Sequence, residues 1–375
     1  MHSASEKSIS ASSSISSPKT IFIVGAGASK EVGLPIGSEL KESIAKVLDI
    51  RFESGIRMVS GDDTIFRALN ATAQSTGSSS SPDINSFLHA CRRIRDAMPQ
   101  AGSIDSYIDT HSGDKQIELC GKLAIIRTIL EAEATNATNS LFVDQLKGEQ
   151  QLKYDRLEKT WFNSFFRLLT NNCKRSDLAN RLNSVAFVIF NYDRCIEHYL
   201  YYALQNYYHM DAPEVAQILR DHLEVYHPYG AVGSLPWLNP HGAIGYGGTP
   251  SPEQLLKLAS QIKTFTEGTD TLSSQVGSIR SHMKMSHRLI FLGFAFHEQN
   301  MDLLTPSSER AEPPAGRRVF ATGHGLSMSS AEYIDAMLIA RGVRPGGLSL
   351  IHPSIKSRFK CNELFHEYER SMSFE

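Results

Sequence analysis

The sequence contains no CxxC pair, no long apolar run, no large excess of either charge and no internal repeat, and each absence removes a class of protein. Its five cysteines (Cys91, Cys120, Cys173, Cys195 and Cys361) are scattered. They suit reduced thiols better than a disulfide framework or a four-thiolate zinc site. The longest strongly apolar stretch, Leu289 to Phe296, falls far short of the roughly 20 residues that cross a bilayer. A formal net charge of -2 gives no global electrostatic case for nucleic acid or an anionic membrane, although it leaves a local basic patch open. No self-similar period of about 20–50 residues suggests a solenoid. Neither HExxH nor a P-loop GxxxxGK[ST] occurs. Residues 1–18 are dominated by serine and lack both a basic and an apolar signal region, so they read as a disordered tail and the chain as cytoplasmic.

What is present is the composition of a globular protein, 41% hydrophobic and 21% charged over 375 residues. Ordered structure is expected to begin at the β-rich run TIFIV (20–24). Further strands are expected at VAFVIF (185–190), EVYH (224–227), RLIFLGF (288–294) and RRVFAT (317–322), with a weaker one at LSLI (348–351). Helical patterns separate them. AQSTGSSSSPD (73–83) reads as a loop, whereas Leu119, Leu123, Ile126 and Leu130 mark one face of a helix. Strands alternating with helices predict an α/β fold with a mostly parallel, doubly wound sheet. We expect a single domain over 19–375, with an inserted helical layer or subdomain at approximately 52–183.

Several predicted strands end in small or polar residues. Gly25-Ala26-Gly27-Ala28-Ser29 follows the first, where small residues permit a close backbone approach to a pyrophosphate. Lys30 replaces the third glycine of GxGxxG, so the dinucleotide pattern is incomplete. Gly33, Pro35 and Gly37 then keep the chain irregular, as a ligand-covering loop requires. The 185–190 strand runs into Asn191-Tyr192-Asp193, poor strand residues and good turn or helix-cap residues. His227 ends the next strand, Gly293 follows a later one, and Thr322 closes another. In open α/β sheets, ligands bind at the carboxyl ends of strands.

GAGAS, FNYD, a histidine-bearing HPYG loop and a late LGF strand, in this order, resemble the sirtuin NAD-binding fold. The closer resemblance, over most of residues 20–350, is to the sirtuin-like NAD hydrolase domains of bacterial antiphage systems. It implies a sirtuin-like Rossmann-type domain. In sirtuins the second motif reads TQNID, so Asn191 and Asp193 match its Asn and Asp. By the resemblance, Asn191 positions the nicotinamide ribose or the attacking water, and Asp193 binds the nicotinamide carboxamide. Gly25, Ala26, Gly27, Ser29, Gly293 and Thr322 complete the expected NAD site. The family's histidine is matched by His227, at a strand end, or by His241, in a literal His-Gly pair; both stay open, with His227 preferred. Asp105, in SIDSYIDTH, either lines the pocket or caps a helix.

Deacetylating sirtuins carry two CxxC pairs in a zinc module that helps form the acyl-lysine cleft, and neither pair is present here. The expectation therefore moves towards hydrolysis of NAD to nicotinamide and ADP-ribose, with NAD as substrate and no metal. A protein deacylase or ADP-ribosyltransferase on the same site is the second reading, and a non-catalytic NAD or ADP-ribose sensor the third. The resemblance also implies a homo-oligomer and a separately encoded translocase-type ATPase of the HerA family, since this chain carries no ATPase motif.

Overall fold

A computed structural model describes residues 19–374 apart from 76–82, 136–137, 145–146, 241, 264–273, 307–311, 346–354 and 357. The serine-rich segment 1–18 and the expected strand at 348–351 lie outside the described residues. At the centre are β1 (Thr20–Val24), β4 (Val185–Ile189), β5 (Glu224–Tyr226), β6 (Arg288–Leu292), β7 (Arg318–Thr322) and β8 (Ile355–Lys356). They form one sheet in the order β5-β4-β1-β6-β7-β8, every pair parallel. Counted by occurrence within the sheet, this is 3-2-1-4-5-6, the order of a doubly wound dinucleotide-binding sheet, whose direction of winding reverses beside β1. The fold is thus Rossmann-like α/β.

Alternation along the strands creates the two faces. Ile21, Ile23, Ala186, Val188, Leu289 and Phe291 enter one core, whereas Phe22, Val24, Phe187, Ile189, Ile290 and Leu292 enter the other. Successive side chains point to opposite faces, so a strand covered on both sides reads as an unbroken apolar run. All five residues of β1 are buried, as are all five of β4. The first core packs against helices Gly37–Val47, Asp63–Ser75, Ile84–Ala97 and Lys115–Ala134. The second packs against Trp161–Thr170, Cys195–Tyr208 and Cys361–Met372, with Phe22 between Phe165 and Phe187 at centroid distances of 5.1 and 5.0 Å.

Two local features differ from the sequence pattern. An antiparallel hairpin, β2 (Arg51–Glu53) with β3 (Arg57–Ser60), occupies the start of the segment read as helical. Its cause is a tight turn in which Ser54 and Gly55 hold φ of 52° and 72° and Ile56 N–H donates to Glu53 O at 3.1 Å. Two consecutive positive φ values match the right-handed twist of paired strands. Second, helix Asp63–Ser75 runs into the stretch read as a loop from residue 73. All five cysteines are free and buried. Among the described residues, no helix is long and apolar enough to cross a membrane.

The loops after β1 and β6 cross at backbone contact. Gly25 N–H donates to Leu292 O at 2.9 Å and Gly27 N–H to Gly293 O at 3.1 Å. A Cβ on Gly293, which holds φ of +55°, would lie 2.1 Å from the Ala28 nitrogen. Gly293→Ala should therefore lower the unfolding free energy by about 2 kcal/mol or more. Gly277→Ala, in helix Ser274–Met285 with open space around its Cβ, should raise it by about 0.5–1 kcal/mol. Urea denaturation of both variants checks the contrast.

Candidate active site

Phe190 N–H donates to Val24 O at 2.9 Å, which extends the β1–β4 register by one residue and places Asn191 beside the glycine turn. There three polar side chains meet. Ser29 Oγ donates to Asp193 Oδ2 at 2.7 Å, and Asn191 Nδ2 lies 3.0 Å from the same oxygen and 3.2 Å from Ser29 Oγ. Asp193 Oδ1 accepts from the Cys195 N–H at 3.1 Å. Asp193 therefore accepts the first backbone N–H of helix Cys195–Tyr208, whose N-cap is Arg194, and also joins a polar cluster at the strand end. Asn191 and Asp193 are only 9% and 5% exposed, and Ser29 3%. The Gly25 and Gly27 amides are engaged by the end of β6, so these glycines serve loop crossing in this arrangement. Thr322 Oγ1 accepts from Gly293 N–H at 2.8 Å and steadies that crossing.

His227 follows β5. Its Nε2 lies 2.7 Å from Glu197 Oε1, and its Nδ1 lies 3.4 Å from the backbone oxygen of Asn191. Burial alone would lower the imidazole pKa. The Glu197 carboxylate, with Asp193 and the Asn191 carbonyl, overcomes this and holds it above its ordinary value. With Nε2 protonated and donating to Glu197, Nδ1 is the nitrogen left to accept a proton, and the Asn191 carbonyl is placed to hold that proton once it arrives. Glu197 Oε2 is buried without a hydrogen-bond partner. A cavity of about 200 Å³ adjoins His227 and Glu197.

Further contacts brace the cluster. The Tyr192 hydroxyl donates to Asp105, whose carboxyl is pushed up by burial against the lowering effect of that bond. Ser103, not Asp105, caps the helix Ile104–Thr110. The Tyr229 hydroxyl donates to Asn300 Oδ1 at 2.7 Å, tying the HPYG loop to the segment after β6. Arg194, 2% exposed, forms an ion pair with Glu133, 0% exposed. Its guanidinium also donates to the carbonyls of Gly233 and Ile244 at 3.2 and 2.7 Å, pinning the loop after β5.

Ser29, Asn191, Asp193 and His227 are thus brought together, with Gly25, Gly27, Gly293 and Thr322 forming the adjacent loop crossing. His241 lies outside the described residues. Sequence reasoning missed Glu197, Arg194 and Glu133. The only signal for the first two was their spacing after Asp193, which places both at the start of helix Cys195–Tyr208. A larger cavity, about 800 Å³, opens beside Lys30, Gly33 and Pro35 and is bounded by Thr128 and Ala132 of helix Lys115–Ala134. Among the described residues, no group of three or more His, Cys, Asp or Glu side chains could hold a metal ion. Neither the protein-family models nor the curated proteins include a match to the chain.

Two outcomes are expected from this geometry. The raised His227 pKa means its stabilising contribution is complete below the unfolded value, about pH 6.5, and is lost as pH rises through the folded value. Glu197→Gln should lower the imidazole pKa seen by NMR and flatten that limb of the stability–pH curve. Arg194→Met leaves Glu133 buried without its partner and should cost about 3–5 kcal/mol of stability, measured by chemical denaturation; the double change with Glu133→Leu should recover much of it.

Proposed function

We propose that the chain is a sirtuin-like NAD+ hydrolase that cleaves the nicotinamide–ribose bond to give nicotinamide and ADP-ribose, acting as an NAD-depleting effector of antiphage defence. The observation that carries this reading is the hydrogen-bonded Ser29–Asn191–Asp193 cluster at the carboxyl edge of a 3-2-1-4-5-6 sheet, with His227 Nδ1 beside the Asn191 carbonyl. The cavity of about 200 Å³ is lined by His227 and Glu197, whereas the one of about 800 Å³ opens beyond Lys30 and Gly33 and is lined by none of Ser29, Asn191, Asp193 and His227.

Breaking the glycosidic bond builds positive charge at the ribose C1′. In this reading Asn191 holds a water, or the ribose, through its amide near that carbon, which is catalysis by positioning and fixed dipoles. His227 accepts the proton at Nδ1, with Glu197 stabilising the resulting imidazolium. Asp193 orients the Asn191 amide and Ser29, and the loops around Gly25, Gly27, Gly293 and Thr322 shape the dinucleotide site. The near-complete burial of Asn191 and Asp193 favours water over a protein side chain as acceptor, and so hydrolysis over deacylation or ADP-ribosyl transfer. Homo-oligomerisation and a separately encoded HerA-type ATPase partner belong to the same proposal.

Nicotinamide release from NAD+ by the purified chain is the direct test. Asn191→Ala should reduce it by about 10²–10³-fold and His227→Ala by about 10²-fold or more. Because base action needs neutral imidazole, the wild-type rate should rise with pH through the raised His227 value. Undiminished release by Asn191→Ala would remove the mechanism. No release, together with no shift in thermal unfolding by NAD+, would remove the function.

A further inference from the structure

The glycine turn continues into two short helical turns, Ala26–Ser29 and Lys30–Val32, which join the candidate site to the helices of the second core. Residues two apart on such a turn point to roughly opposite sides. Ser29 reaches Asp193 and Asn191, and Glu31 reaches the other way. Its Oε2 accepts from Trp161 N–H at 2.8 Å and its Oε1 from Asn362 N–H at 2.9 Å. These amides lie in the first turns of helices Trp161–Thr170 and Cys361–Met372. One carboxylate thus serves two helix ends, where unpaired N–H groups and the positive end of the helix dipole both favour an anion. Trp161 adds a second tie, because its Nε1–H donates to Ala28 O at 2.9 Å. Burial pushes the Glu31 carboxyl up, against the lowering effect of the helix amides and of Lys360. A glutamate kept there for stability alone would be held below its ordinary value.

We propose that Glu31 is a positioning residue for the candidate site. It holds the turn against two helix ends, and the turn so held keeps Ser29 Oγ against Asp193 and the Asn191 amide. It touches no reacting atom, and its effect on the reaction rests on the reading of Asn191 as the group that holds the water or the ribose. Only a carboxylate serves both helices. Glutamine has one acceptor oxygen, and its NH2 would face the N–H of the other helix. Glu31→Gln therefore frees one helix end from the turn with little change in volume. A displacement of the Asn191 amide on the order of 1 Å costs up to about a hundredfold in rate. Ser164 supplies the comparison, since its Oγ donates to Asn362 Oδ1 at 2.7 Å and so links the same two helices to each other without touching the turn.

Two measurements on the full chain test the assignment: steady-state nicotinamide release from NAD+, and NMR of the side-chain amides of isotope-labelled asparagine. Both are made on wild type, Glu31→Gln, Trp161→Phe and Ser164→Ala, with the Asn191 signals identified by their loss in Asn191→Ala. Glu31→Gln should lower kcat about tenfold or more with KM within about twofold, and should shift the Asn191 signals. Trp161→Phe, which cuts the tie to Ala28, should act in the same direction, and it carries the comparison if Glu31→Gln does not fold. Ser164→Ala should change neither readout. Asn191 signals that stay in place in both turn variants overturn the proposal, because Glu31 then only caps helices. So do signals that move while kcat is kept. A wild type that releases no nicotinamide removes the NAD reading, and the NMR comparison then decides the positioning role by itself.

Discussion

The candidate site depends on register. β1 is paired in parallel with β4 on one side and β6 on the other, residue for residue, so that Val24 stands opposite both Ile189 and Leu292. All three strands consequently end at one level, and the segments leaving them converge: the glycine turn, Asn191 to Asp193, and Gly293. A one-residue slip of any strand would turn its apolar side chains to the wrong face, and β1 has no tolerant face because both sides are buried. Core packing therefore fixes the position of polar groups that contribute nothing to the core themselves.

Asp193 shows how one side chain ties two parts of the candidate site together. Its Oδ1 fixes the first turn of a helix, and its Oδ2 gathers Ser29 and Asn191. The helix that starts there carries Glu197 to His227. Arg194, between them in sequence, turns the other way into the Glu133 carboxylate and two loop carbonyls. Four positions of the candidate site, 191, 193, 194 and 197, are thus spread over different walls by the change from extended to helical backbone.

Much of this was legible in the sequence because it is written locally. Short β-rich runs between helical patterns gave the sheet, and Asn-Tyr-Asp in a strand's wake marked the site. The hairpin at 51–60 was not legible from apolar periodicity, since most of its residues are exposed and its formation rests on the Ser54-Gly55 turn. Glu197, Glu133 and Asn300 were missed for another reason. Their partners lie 30, 61 and 71 residues away, and no local pattern encodes a contact that exists only after the sheet and its helices have assembled. Gly25 and Gly27 were singled out for a ligand's approach, but the sequence could not show that the chain's own Gly293 approaches them closely.

The central position of β1 also bears on how the chain is made. β1 is synthesised first among the strands, yet its neighbours arrive only with residues 185–189 and 288–292. Non-local parallel pairing of this kind forms late and slowly. A nascent chain that ends before β6 lacks one side of the glycine-turn crossing, so no such amino-terminal fragment carries a complete site. Whatever the finished site does therefore begins only after β6, ending at Leu292, has left the ribosome.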